Sequence, residues 1–409
     1  METKKTILYN LQHLNQVVLE VTDYCNLNCK YCSYSSMYEG YDKRSHNKMP
    51  FKIAKTAIDY IMKIRTSSPD TNYPLTISFY GGEPLLNFKL ISKVVEYVEN
   101  KHSNKKINYG MTTNAVLLHK HIDYLKSNNF QITVSLDGDE KGQGYRVDHN
   151  GTNSFKKVFS NLLLLKSLYP EYFESSINFN SVMHNLNSAE STYKFIKQNF
   201  NKKPILAELN PTGIKKEKME EFKNMYQNIS KSILNSKNYE SIEADMFIKS
   251  PRVLDLVYYI KNYSHNYYSD YNDLIFDMSF KSERETGTCS PFSRKMFITA
   301  NGKILQCERI GHQFALGHVT EKNILLNQER ITSNQNNFIN KIRKQCKKCS
   351  LEKICPQCIY KISNITEENP VCDKFLNKQE FERLIETTTD FLSNHPFYYE
   401  RILKEVTIK

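Results

Sequence analysis

The sequence predicts an α/β fold: a partial (β/α)6 TIM-like barrel followed by a C-terminal cysteine-rich domain. Three observations lead there. Short β-branched runs alternate with amphipathic stretches from residue 17 to about 215. Apolar side chains in those stretches recur every three or four positions. The ten cysteines fall into two separate groups.

The strand candidates are residues 17–22, 75–80, 107–112, 131–136, 176–182 and 204–209. Helix-length segments fill the intervals at 51–65, 86–102, 117–128, 154–168 and 188–200, and a sixth follows at 216–234. Ile53, Ala57, Ile61 and Ile64 show the helical spacing, which sets one apolar stripe against a sheet. Six strand–helix units in succession imply parallel strands joined by right-handed crossovers. In such barrels the chemistry gathers at the carboxyl ends of the strands.

Residues 235–285 are rich in Tyr and Asn without a clear period and read as a helical connector. Residues 295–307 read as two short strands around Asn301-Gly302, a pair suited to a type I′ hairpin turn. One or two helices are expected from 378 to about 404. The expected divisions are an N-terminal extension (1–16), the barrel (17–215), a helical connector (216–285), the cysteine-rich domain (286–375) and a helical tail (376–409).

Composition bounds the function. Hydrophobic residues make up 40% and charged residues 24% of 409, an ordinary globular balance. No apolar run is long enough for a transmembrane helix. The polar start Met1-Glu2-Thr3-Lys4-Lys5 lacks the apolar core of a signal peptide, so a cytoplasmic location is expected. The net charge of +12 raises the question of nucleic acid. Its lysines are scattered over predicted helix faces, however, and the densest basic stretch, 341–348, sits among cysteines. No nucleic-acid or membrane partner is expected; an acidic or extended peptide suits the charge equally well. Ten cysteines in a reducing compartment are expected to ligate metal rather than pair as disulfides.

Directly after the first strand candidate comes Cys25-Asn26-Leu27-Asn28-Cys29-Lys30-Tyr31-Cys32, with spacing C-x3-C-x2-C. Thiolates this close on one loop suit three irons of a [4Fe–4S] cubane and leave the fourth open. Structural zinc would want a fourth protein ligand, which is missing nearby. The loop resembles the signature of the radical SAM superfamily. The resemblance implies that Cys25, Cys29 and Cys32 hold a catalytic cluster whose open iron chelates S-adenosylmethionine (SAM). One electron then cleaves the sulfonium to give a 5′-deoxyadenosyl radical. It also implies that Tyr31 packs near the adenine.

Further segments match in order. Gly81-Gly82-Glu83-Pro84 follows the second strand and resembles the motif that binds the SAM amino group, with Glu83 accepting from the ammonium. Asn114 follows the third strand and Ser135 the fourth; the resemblance makes both SAM contacts, Ser135 toward the ribose or carboxylate. Arg146 is expected to pair with the SAM carboxylate, and Asn180, ending the fifth strand, to reach a ribose hydroxyl. Asp137 and Glu308 are candidate acid/base groups on the substrate side.

The second group is Cys289 and Cys307 with Gly302 between them, then Cys346-x2-Cys349-x5-Cys355-x2-Cys358, then Cys372. Taken alone, the C-x2-C pairs suit a zinc ribbon as well. In this order they resemble the SPASM domain of radical SAM enzymes that mature peptides and proteins, making the C-terminal region an iron–sulfur domain. The resemblance assigns Cys346, Cys349, Cys355 and Cys372 to an outer auxiliary cluster and Cys289, Cys307 and Cys358 to an inner one. Two departures stand out. The family usually has C-x3-C where this chain has Cys355-x2-Cys358. No cysteine precedes Cys289 closely, so the inner cluster lacks a fourth thiolate and is expected to have an open site.

The resemblance therefore implies three [4Fe–4S] clusters, one SAM-binding and two auxiliary. It implies a ribosomal precursor peptide as substrate and an electron donor such as flavodoxin or ferredoxin. The expected activity is formation of a thioether or carbon–carbon crosslink. The alternative is an anaerobic sulfatase-maturating, formylglycine-forming enzyme, which the missing inner-cluster cysteine disfavours. Only 24 residues precede Cys25, so leader recognition is expected to come from 235–285, from a separate protein, or not to be needed.

Overall fold

Every expected barrel strand forms within one residue of its expected bounds in the computed structural model, which describes residues 1–68, 73–263, 275, 286–352 and 355–406. These are β1 (Gln16–Thr22), β2 (Leu75–Gly81), β3 (Ile107–Thr113), β4 (Gln131–Ser135), β5 (Ile177–Met183) and β6 (Ile205–Glu208). They pair in sequence order and all in parallel.

Strand alternation decides which face does what. Val17, Leu19 and Val21 of β1, Ile77 and Phe79 of β2, and Ile132 and Val134 of β4 enter one buried apolar core. The helix Phe51–Arg65 adds Ile53, Ala54, Ala57, Ile58, Ile61 and Met62 to it. Each such aliphatic side chain is worth roughly 1.5–3 kcal/mol when fully buried. The alternate positions, among them Glu20, Thr22, Tyr80, Thr112, Ser135 and Asn180, lie on the opposite, inner face of the barrel.

The chain divides into two compact units. The larger comprises Glu2–Ser232 and Cys289–Thr332. Its sheet extends beyond the barrel: β7 (Met296–Ile298) adds in parallel to β1, then β8 (Lys303–Leu305), β9 (Gly317–Val319) and β10 (Ile324–Leu326) follow antiparallel. The expected hairpin is thus β7–β8, with a different turn. Gly302 alone has positive φ (89°) there, and Gly302 N–H donates to Thr299 O at 2.8 Å. A type I′ turn requires positive φ at both central residues, so this is a longer loop closed by a glycine bulge.

The expected helix at 216–234 is broken into Met219–Met225 and Ile229–Leu234. Glu208, at the end of β6, explains the break. Its carboxylate accepts from the Tyr226 hydroxyl (2.6 Å), Asn228 Nδ2 (3.0 Å) and Ile229 N (2.9 Å), capping the second piece.

The second unit holds Met1, Ile233–Thr288 and Ser333–Lys409. Helices Tyr239–Met246 and Pro251–Tyr263 occupy part of the expected connector; nearly all of 264–285 lies outside the described residues. Phe247, Val253, Leu256, Ile260, Tyr398 and Ile402 form its apolar cluster. Buried Glu243 accepts from the Tyr398 hydroxyl and from Ser250 Oγ (3.1 Å) within that packing. The tail forms two helices, Lys378–Asn394 and Pro396–Glu405, separated at His395, because a residue before proline is disfavoured in helical conformation. A helix at Gln328–Cys346 had no counterpart in the expected elements. Among the described residues, no helix is long and apolar enough to cross a membrane.

Candidate functional site

The carboxyl ends of β1 to β5 meet the cysteine loop. Parallel pairing of β1 with β2 continues past the strands: Gly82 N donates to Thr22 O and Glu83 N to Tyr24 O, both at 2.9 Å. Only glycines permit this approach. A Cβ on Gly81, whose φ is 141°, would meet Thr22 O at 2.2 Å, and one on Gly82 would meet Tyr24 O at 2.1 Å. Gly82→Ala is therefore expected to push the Glu83 turn off the cysteine loop at a cost of roughly 1–3 kcal/mol or more, read from urea unfolding of the metal-free protein. A variant as stable as the parent would contradict the close packing.

The loop itself is laid against residues 145–149. Leu27 buries its side chain and bridges to Asp148, Asn28 N donates to Val147 O (2.7 Å), and the His149 ring meets Cys25 O at 2.9 Å. This brings the three thiols into one place. Burial lifts the Cys25 thiol to about 11, with Glu83 and Cys32 pushing the same way. Burial likewise lifts Cys29 to about 12, and Cys32 and Cys25 add to it, against the opposing Arg146 charge. Without metal these two sulfurs stay protonated at neutral pH, so loading a cluster must displace their protons. Donors already point at the sulfurs: Leu27 N (3.4 Å) and Asn114 Nδ2 (3.7 Å) toward Cys25, and Arg44 Nη2 (3.6 Å) toward Cys32. Nothing in the loop's sequence singled out Arg44, which lies twelve residues further on in a polar segment.

A [4Fe–4S] group fits this donor set: three half-buried thiols on one loop, with amide and guanidinium donors to sulfur beside them. Among the described residues no three His, Cys, Asp or Glu side chains close round a single metal ion, and a cubane, whose thiolates sit on separate irons, does not require it.

Glu83 is buried and accepts three hydrogen bonds. Its Oε1 accepts from Thr113 Oγ1 (2.6 Å) and Leu85 N (3.1 Å), and its Oε2 from Asn114 N (2.8 Å). Burial raises its carboxyl to about 7, partly offset by those three bonds. It thus ties the end of β2 to the end of β3, and Asn114 in turn donates to Asn26 Oδ1 (2.8 Å) inside the cysteine loop.

Arg146 is equally committed. Its Nε and Nη2 donate to Asp137 Oδ2 and Oδ1 at 2.8 and 3.0 Å, a bidentate buried pair. The guanidinium also lies 5.4 Å over the ring of Tyr31, whose hydroxyl donates to Asp137. Val182 N adds a fourth bond to Asp137 at 2.8 Å. Burial alone would raise the Asp137 carboxyl, but the Arg146 charge and the hydrogen bonds outweigh it and hold it at about 2. Asp137 was expected as a substrate-side acid or base. Buried, and accepting hydrogen bonds from Arg146, Tyr31 and Val182, it anchors Arg146 and Tyr31. Ser135 and Asn180 sit opposite each other in the β4–β5 register, on the inner face.

Glu308 pairs with Lys295 Nζ at 3.1 and 3.2 Å. Burial would raise its carboxyl, but that lysine lowers it overall. Burial lifts Tyr80, on the inner face of β2, and the charges of Glu308 and Cys32 lift it further, so both loops lie within electrostatic reach of one phenol. Cys289 O accepts from Gln306 Nε2 (3.0 Å), beside Cys307.

In the other unit, Cys346, Cys349, Cys355 and Cys372 line one cavity with Gln345, Glu352, Lys374 and Phe375. Cys346 ends the helix Gln328–Cys346, Cys349 N caps back to Cys346 O (2.9 Å), and Leu376 N donates to Cys349 Sγ (3.4 Å). Burial raises the Cys372 thiol, and Cys355 and Cys349 add to it. Cys358 belongs to this unit and is absent from that lining, while Cys289 and Cys307 belong to the larger unit.

Residues 19–196 match the model of the Radical SAM superfamily. A radical SAM cyclopropyl synthase, TigE, from Paramaledivibacter caminithermalis is 28% identical over 76% of this chain and 70% of its own length. A cysteine-type anaerobic sulfatase-maturating enzyme from Clostridium novyi is 26% identical over 93% of this chain and 97% of its own. An uncharacterized protein from Methanocaldococcus jannaschii is 37% identical over 156 residues; the chain spans about half its length, 49%. In fold, the chain is similar to native anSMEcpe solved with bound AdoMet and the Kp18Cys peptide, with a TM-score of 0.60 at 20% identity, covering 93% of this chain and 98% of that one.

Proposed function

This chain is a radical SAM enzyme related to a cyclopropyl synthase and to anaerobic sulfatase-maturating enzymes, and on that premise we propose that it is a peptide maturase forming a thioether or carbon–carbon crosslink in a ribosomally made peptide. The observation that carries this reading is the half-buried trio of cysteines on the loop held between the Gly81-Gly82-Glu83 turn and residues 145–149, in a chain with seven further cysteines.

Bound there, a [4Fe–4S] group and SAM supply a 5′-deoxyadenosyl radical able to take hydrogen from unactivated carbon. The chain's own residues hold and orient. Cys25, Cys29 and Cys32 ligate the cluster. Gly81 and Gly82 let the backbone reach it, and Asn114, fixed by Glu83, steadies Cys25. Ser135 and Asn180 offer hydroxyl and amide to the SAM ribose and carboxylate. Arg146 and Tyr31, locked to Asp137, form the wall beneath them. Cys346, Cys349, Cys355 and Cys372 hold one auxiliary cluster, and Cys289 and Cys307 of the larger unit contribute to a second. Glu308 serves the substrate side as a base. A flavodoxin- or ferredoxin-type donor supplies the electron.

The likeness to the Clostridium novyi enzyme over nearly the full length of both chains favours a second reading, oxidation of cysteine to formylglycine. One assay separates the two. Reduced, iron-loaded protein is incubated anaerobically with SAM and peptides encoded beside its gene, and products are read by mass. Crosslinking is expected to remove two hydrogens from the peptide and keep its sulfur. Loss of sulfur from cysteine would establish the second reading, and absence of 5′-deoxyadenosine would overturn both.

A further inference from the structure

We propose that Arg44 is a positioning residue whose charge, acting through Cys32, sets how readily the iron–sulfur group on the first cysteine loop accepts its electron. The inference rests on the cluster assignment in the proposed function. Three observations support it.

Arg44 Nη2 lies 3.6 Å from Cys32 Sγ. The Nε of the same guanidinium is buried and has no hydrogen-bond partner among the described residues. A buried cationic donor in want of an acceptor is costly, and an electron-rich group beside Cys32 answers that want.

Arg44 is also held where it is. Its guanidinium stacks 4.3 Å over the ring of Tyr34. The Tyr34 hydroxyl donates to Glu20 Oε1 (3.0 Å), and Glu20 Oε2 accepts from Ala300 N (2.8 Å). The segment that carries Arg44 is strapped to the approach of the cysteine loop: Asp23 Oδ2 accepts from Ser45 N (3.2 Å) and Asn47 Nδ2 (2.8 Å), and Thr22 Oγ1 donates to Asn47 O (2.7 Å).

Among the described residues Arg44 makes no ion pair. Two further cations near the trio are paired, Arg146 by its bidentate bond to Asp137 and Lys30 with Glu221 at 2.9 Å. The remaining donors to sulfur, Leu27 N and Asn114 Nδ2, are neutral. Reduction adds a negative charge to the cluster, and hydrogen bonds to sulfur and net local charge are what set such potentials. A cation fixed at one sulfur in a poorly screened site stabilises the reduced form more than the oxidised one.

The test is an EPR-monitored redox titration of the iron-loaded full chain, following the signal that changes when SAM is added, since that signal belongs to the first loop. In Arg44→Gln the reduced-to-oxidised ratio at a fixed solution potential is expected to fall about tenfold, equivalent to about 59 mV for a one-electron couple. Arg44→Lys, which keeps the charge, should stay within about threefold of the parent. An unchanged ratio in Arg44→Gln overturns the proposal. So does an equal fall in both variants, or an Arg44→Lys protein that cannot hold iron, because each assigns Arg44 to loop folding. A parent protein without any SAM-responsive iron signal sinks the cluster assignment itself, a failure distinct from an unchanged ratio.

Discussion

Cys29→Ala is expected to abolish SAM cleavage, lowering 5′-deoxyadenosine formation by at least about 10³-fold, with loss of the SAM-responsive iron signal. The reason lies in the site's construction. The loop offers three thiols, and that of Cys29 is lifted to about 12 by burial and by its two neighbours. Removing it leaves two sulfurs for three irons, and groups that act as a unit fail together. The matched control is Cys346→Ala. It lies in a different unit and lines a separate four-cysteine cavity. That variant should keep SAM cleavage and its EPR response while losing peptide product. If Cys29→Ala retained SAM-dependent deoxyadenosine, the loop would not be the catalytic site.

Asp137→Ala is expected to be the most destabilising single carboxylate change near the site, by about 3–5 kcal/mol. Removing one member of a buried pair strands the other's charge, here Arg146, and also frees the Tyr31 hydroxyl and Val182 N. The pH dependence follows from the sign of the shift. The folded carboxyl sits near 2, below its unfolded value of about 3.9, so its contribution is complete above roughly pH 4 and is lost as pH falls toward 2. Urea midpoints of parent and Asp137→Asn should therefore differ by a constant amount between pH 5 and 8 and converge below about pH 4. A difference that grew toward acid pH would contradict the depressed carboxyl. Activity offers a second readout: a substrate-side base would change the pH profile of turnover, whereas an anchor changes stability.

These two expectations differ in how far they were legible beforehand. The cysteine trio, the Gly81-Gly82-Glu83-Pro84 turn and their order after successive strands are local features. Spacing along one loop and position after a β-branched run are visible in the chain itself, because ligands on a single loop need no distant partner. The barrel strands were legible for a similar reason. Alternation in Val17, Leu19 and Val21, and three-to-four spacing in Ile53, Ala57 and Ile61, are written by the period of each element.

The uses of Glu83, Asp137, Arg146 and Arg44 were not legible. A carboxylate beside a glycine pair suits an ammonium and a backbone amide equally, and sequence does not say which donor arrives first. In the structure Thr113, Asn114 and Leu85 reach Glu83, and Arg146 closes on Asp137. The turn at Asn301-Gly302 and the break after Met225 went the same way: local propensity permitted one form, and longer contacts, above all Glu208 with Ile229, selected another.

The sequence by itself determined the strand inventory of the barrel, the three-cysteine loop and the grouping of the remaining cysteines, since each depends on periods and spacings within a few residues. Tertiary structure alone decided which polar groups stay available for chemistry. Burial favours charges that find partners, and those partners are chosen by parallel strand register and by segments such as 42–48 that return across the site. That is how Asp137 became an anchor and Arg44 a neighbour of Cys32.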